Sequence, residues 1–138
     1  MILLDTDTFS LLMEEHHRIG ERFRAATEEV AITLITQIEV LEGRFAFVLR
    51  AADSGQLLRA QQWLHKSKDD LASFRIIPFD AAAAAEFDRL KDNKKLKKIG
   101  RADLLIACIA LAQRATLVTR NLKHFRQVPG LQVENWAD

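Results

Sequence analysis

Four short apolar runs set the limits on this fold: Met1 to Leu4, Val30 to Leu34, Arg75 to Phe79 and Thr116 to Thr119. They are rich in Leu, Ile and Val, and none is long enough to be a buried helix. Between them lie stretches whose apolar residues recur at helical spacing. Strands that alternate with helices pair side by side through crossovers, so the pattern predicts a parallel α/β sheet. Leu131 to Val133, after the turn Pro129-Gly130, adds a fifth strand at an edge. The fold class expected is α/β: one domain over 1–138, with a central parallel sheet of about four to five strands flanked by helices. At 138 residues the chain is long enough for a real core, and no repeat or linker divides it.

The intervening helices can be placed by their caps and stripes. Thr6, Asp7 and Thr8 are cap formers ahead of Phe9 to Met13, and Gly20 is expected to separate a second short helix, Glu21 to Thr27. Thr36 is expected to cap the next helix, with Glu39 in its first turn and Ile38, Leu41, Phe45, Val48 and Leu49 along one side. Asp53-Ser54-Gly55 reads as a turn. Leu57, Leu58, Trp63, Leu64, Leu71 and Phe74 then suggest one amphipathic helix or a pair. Asp80 caps an alanine-rich helix from Ala81 to about Asp92, and Asp103 to Arg114 is the most apolar helix.

Acidic and polar residues stand where these elements meet. Asp5 closes the first strand, Glu39 follows the second, Asp103 opens the apolar helix, and Thr119-Arg120-Asn121 closes the fourth strand. In a parallel sheet the carboxyl ends of strands share one edge, and ligands bind there. Capping or the helix dipole explains each acid singly, but not a nearly complete ring of them. Clustered carboxylates repel one another unless a cation offsets the charge, and oxygen donors select a hard ion, Mg²⁺ or Mn²⁺. Phosphodiester hydrolysis is the chemistry such a ring supports.

Other classes fall away. Net charge is +1, so contact with nucleic acid must rest on a local patch. Such a patch runs from Arg89 to Arg101 through Lys94, Lys95, Lys97 and Lys98, and is joined by Arg120, Lys123, His124 and Arg126. The single cysteine, Cys108, lies in an apolar helical run; it rules out a disulfide framework and suits a reducing, cytoplasmic setting. No cysteine–histidine cluster has zinc spacing, and the side chains of His16 and His17 diverge on a surface. No signal peptide and no membrane span are expected.

The same residues resemble the PIN-domain ribonucleases, most closely the VapC-type toxins of bacterial toxin–antitoxin pairs. Ile2-Leu3-Leu4-Asp5-Thr6-Asp7 is similar to the family's opening strand and first acid. Ile35 to Gly43 resembles the second motif, with Glu39 as its acid, and Ala102 to Ala107 the third, with Asp103. Leu117 to Phe125 resembles the fourth. The chain departs from many relatives there, with the neutral Asn121 where they carry an acid. The resemblance implies a Mg²⁺- or Mn²⁺-dependent endoribonuclease that cuts tRNA, rRNA or mRNA and slows translation. Asp5, Glu39 and Asp103 would hold the metal. Asn121 and Thr119 would orient water or phosphate. Thr6, Asp7 and Glu42 would be accessory, and Lys94, Lys95, Lys97, Lys98, Arg101, Arg120 and Lys123 would hold the RNA backbone. It also implies a VapB-like antitoxin that blocks the pocket, a homodimer or toxin–antitoxin hetero-oligomer, and contact with DNA only through the antitoxin. The apolar stripe after Glu39 and the Trp63 helix are the candidate contact faces.

Two other readings compete. Leu4-Asp5-Thr6-Asp7-Thr8 also fits the strand and Asp-x-Asp-x-Thr of haloacid-dehalogenase-type phosphatases, in which the first Asp attacks phosphorus. A catalytically degenerate PIN module that binds RNA or a protein without cutting is the other, and Asn121 is the residue that supports it.

Overall fold

A computed structural model describes all residues, 1–138. Five strands form one sheet: β1 (Ile2–Leu4), β2 (Val30–Thr33), β3 (Ile76–Ile77), β4 (Thr116–Val118) and β5 (Gln132–Glu134). All neighbours pair parallel, in the order β3-β2-β1-β4-β5. The chain steps from β1 outward to β3, then returns to the other side of β1 for β4. The order therefore reverses between β1 and β4, the place where an open α/β sheet leaves a crevice at its carboxyl edge.

Seven helices accompany the sheet: α1 (Thr6–Met13), α2 (His17–Ala25), α3 (Leu34–Arg50), α4 (Ser54–Ala72), α5 (Ala81–Leu90), α6 (Arg101–Ala112) and α7 (Leu122–Phe125). A single 3₁₀ turn, Lys94–Leu96, links α5 to α6. Strand alternation sends Leu3, Ala31 and Leu117 to one side, where α5, α6 and Phe125 cover them. Ile2, Leu4, Ile32 and Val118 go to the other, against Phe9, Ile19, Val40, Leu71 and Trp136. A sheet buried on both faces explains why its strands read as continuous apolar runs.

Several local expectations need correction. The break after α1 falls at Glu15, with φ 64°, and not at Gly20, which lies inside α2. The His16 N–H donates to the Leu11 carbonyl at 3.0 Å, closing α1 with a left-handed residue in the place glycine often fills. His16 is not a plain surface residue either, since its Nδ1 accepts from the Ile19 N–H and caps α2. Asp5, rather than Thr6 to Thr8, caps α1. Thr33, not Thr36, caps α3, so Glu39 stands one turn further in than expected. Asp53 caps α4 directly, and Ser54 and Gly55 belong to that single long helix. The third strand shrinks to Ile76–Ile77, because Pro78 follows at once and lacks an N–H for the ladder.

Candidate active site

Asp5 leaves β1 at the switch point. Its backbone N–H donates to the Val118 carbonyl of β4 at 3.0 Å, and its Oδ1 accepts from the Thr8 N–H at 2.9 Å. The residue is only 6% exposed. Burial raises the carboxyl above its ordinary 3.8; the Thr119 side chain and the Thr8 N–H pull it back, and the charge on Asp7 pushes it further up. The buried Thr8 hydroxyl beside it makes no hydrogen bond.

Glu39 arrives on α3 and is held by its neighbours. The Thr6 hydroxyl donates to Glu39 Oε1 at 2.6 Å and lies 3.0 Å from the Thr36 hydroxyl. Asp103, in the first turn of α6, is half-buried. Burial raises its carboxyl, the like charges of Asp5 and Glu39 raise it further, and His124 opposes them. The three acids therefore share one field although they come from separate elements.

These side chains, with Thr6, Asp7, Ser10, Arg120, Asn121 and Asp138, line one pocket of about 720 Å³ that contains no hydrophobic residue. Five of the nine are carboxylates and one is a cation. Arg120 Nη1 stands 3.7 Å from Asp7 Oδ2, a loose and exposed pairing across the mouth. The Asn121 N–H donates to Thr119 Oγ1 at 2.9 Å, and its amide nitrogen lies 3.2 Å from His124 Nδ1. No three acids or histidines form a ready ligand cluster, so the carboxylates surround a space and do not already converge on a point.

The pocket gathers some expected residues and leaves others out. Asp5, Thr6, Asp7, Glu39, Asp103, Arg120 and Asn121 line it. Thr119 is wholly buried and touches the site only through Asp5 and Asn121. Glu42 is exposed and does not line it, standing about one helical turn further along α3 than Glu39. Lys94, Lys95, Lys97, Lys98, Arg101 and Lys123 are also exposed and do not reach the pocket; the Arg101 guanidinium lies 4.8 Å over the Phe87 ring. Two lining residues escaped the sequence reading. Ser10 lies one helical turn beyond Thr6, a signal that was available. Asp138 has no local signal, because the segment after β5 must first fold back over the sheet.

The fold and pocket together define a class: a parallel α/β domain with an acid-lined crevice at its switch point. The chain belongs to the PIN-domain family, whose model matches residues 2–131. It is 43% identical over 68 residues to Ribonuclease VapC2 of Rickettsia felis, a match spanning 48% of this chain and 51% of that protein. It is 26% identical to the tRNA(fMet)-specific endonuclease VapC of Salmonella typhimurium, over 98% of this chain and 97% of that one. Among solved structures, VapBC2 from Rickettsia felis bound to a promoter DNA fragment superposes with a TM-score of 0.77 at 30% identity, covering 99% of each chain. Membership in this family displaces the phosphatase reading of Asp5.

Proposed function

We propose that this protein is an endoribonuclease, the toxin of a toxin–antitoxin pair, working in the cytoplasm with Mg²⁺ or Mn²⁺. The observation that carries the proposal is the pocket at the switch point, where five carboxylates face one arginine without an apolar residue among them. Its donors are hard oxygens, which fit such an ion and fit no softer one. Asp5, Glu39 and Asp103 would hold it, and Mg²⁺ binds in this way with few carboxylates and several waters. When bound, the ion supplies Lewis-acid activation of water and neutralises charge on the phosphate oxygens.

The chain's own groups do the positioning. Thr6 fixes the Glu39 carboxylate, and the Thr8 N–H and Thr119 fix Asp5. Arg120 leaves Asp7 for the scissile phosphate, and the Asn121 amide orients the attacking water. Lys94, Lys95, Lys97, Lys98, Arg101 and Lys123 contact the RNA backbone away from the cut, where a phosphate track needs only exposed cations.

An apolar face suits the antitoxin. Ile38, Phe45, Phe47 and Leu49 on α3 and Leu57, Leu58 and Trp63 on α4 are exposed, Leu49 to 84%. The stripe thus splits, with Leu41 packed against the core and Ile38, Phe45 and Leu49 outside. A patch of this kind marks an interaction surface. We assign it to a VapB-like partner or a second toxin, with DNA contacted only through the antitoxin.

Cleavage of total RNA and of purified initiator tRNA, with Mg²⁺, Mn²⁺ or EDTA and beside Asp5→Asn, tests the proposal. Discrete fragments that require metal and vanish in the variant are expected. Equal cutting by both proteins, or none, would sink it. The neutral Asn121, bonded toward His124, favours one second reading, a module that binds RNA without cutting; retention of RNA with no fragments in Mn²⁺ would select that reading.

A further inference from the structure

The segment after β5 carries a carboxylate into the pocket that no motif announces. Trp136 is 3% exposed and Ala137 8%, and both pack in the core layer that holds Leu4, Phe9 and Val118. Trp136 Nε1 donates to Glu134 Oε2 at 3.0 Å, and Arg22 lies 5.6 Å from the indole centroid. The Ala137 N–H donates to Asn135 Oδ1 at 2.8 Å, and Asn135 Nδ2 donates to Asp138 Oδ2, also at 2.8 Å. The buried plug and the bonded turn deliver Asp138 to the wall that Asp5, Glu39, Asp103 and Asn121 also line.

A flexible surface acid would have no reason to be tethered there. Asn121 places a neutral amide in a wall that is otherwise largely acidic, and Asp138 is a further carboxylate in the same space. We propose that Asp138 is a further acid of the metal-binding pocket and supplies the charge that Asn121 lacks. This rests on the metal-dependent reading above. Asp138 would act directly or through an ordered water, while Asn135 holds its free rotation in check.

The test is calorimetric titration of the metal-free protein with MnCl₂, alongside RNA cleavage, in four chains: wild type, Asp138→Asn, Asn121→Asp and the double variant. Asp138→Asn should weaken Mn²⁺ binding roughly tenfold. Adding Asn121→Asp to it should restore most of the loss. Melting in EDTA checks that Asp138→Asn still folds, as its exposed side chain predicts. An unchanged Mn²⁺ affinity in Asp138→Asn would overturn the inference, as would a loss that Asn121→Asp leaves uncorrected. Failure of the underlying reading looks different: wild type would bind no Mn²⁺, or would bind it as well as Asp5→Asn.

Discussion

Asp5 holds two jobs that a pair of substitutions can separate. It caps α1 through the Thr8 N–H at 2.9 Å, and it places a buried charge in the pocket. Asparagine caps as well as aspartate, so Asp5→Asn keeps the bond and discards only the charge. Asp5→Ala discards both. Loss of an N-cap costs about 1 kcal/mol, which corresponds to about 4 °C in melting temperature for a chain of this size. In EDTA at neutral pH, Asp5→Ala should therefore melt about 4 °C below Asp5→Asn. The sign of the charge effect follows from linkage. Burial raises the Asp5 carboxyl above 3.8, so the folded state holds that proton more tightly than the unfolded state. Wild type loses stability as pH rises from 3.8 through the raised value, and above it the full penalty persists. Asp5→Asn escapes this, so it should melt above wild type at neutral pH, and the gap should close on acidification. Mn²⁺ should raise wild type and leave Asp5→Asn in place. RNA cleavage should be lost in both variants. Scanning calorimetry across pH, with a gel assay on the same samples, reads all of this. Asp5→Asn melting below wild type, or level with Asp5→Ala, would refute the reasoning.

Three further outcomes are expected. Thr6→Val removes the 2.6 Å bond to Glu39, and hydrogen bonds to charge are worth about 1.5–3 kcal/mol, so kcat/KM on RNA should fall roughly ten- to hundredfold with the fold kept; undiminished activity would show that Thr6 does not position Glu39. Leu49→Asp should abolish co-purification with a co-expressed VapB-like antitoxin, while its melting temperature stays near wild type, since Leu49 is 84% exposed; capture at wild-type yield would remove α3 from the contact face. Cys108 is buried in α6, which pushes its thiol up to about 11, so a disulfide reagent at pH 8 should label it only after denaturation; rapid labelling of the native protein would show that α6 opens readily.

The sheet was legible because its strands are buried on both sides, so apolar runs and their polar ends mark both position and direction. Asp5 and Asn121 could be brought together from that alone, since parallel strands put all carboxyl ends on one edge; Asp103 follows no strand, and its place beside them depends on how α6 packs. Helix starts were less legible. Thr33 and Thr36 are equally good caps in isolation, and packing against the sheet chose Thr33. Glu15 took the left-handed position after α1, which a glycine adopts at less cost, while Gly20 sits buried inside α2. The basic residues could be placed near the site but not in it. Most of them are close to Asp103 in sequence, yet their side chains are exposed outside the pocket, and only Arg120 lines it. Asp138 could not be read from local pattern at all, as its position depends on where Trp136 is buried.

α3 carries Glu39 toward the acids and Leu49 toward the exposed apolar face. Ten residues of helix separate them, a rise of about 15 Å. The helix is thus a ruler of fixed length between the gripping face and the chemistry. A strap that holds Leu49 and also plugs the acids needs about five residues if extended, or ten if helical. A shorter strap could bind this protein tightly and still leave it able to cut.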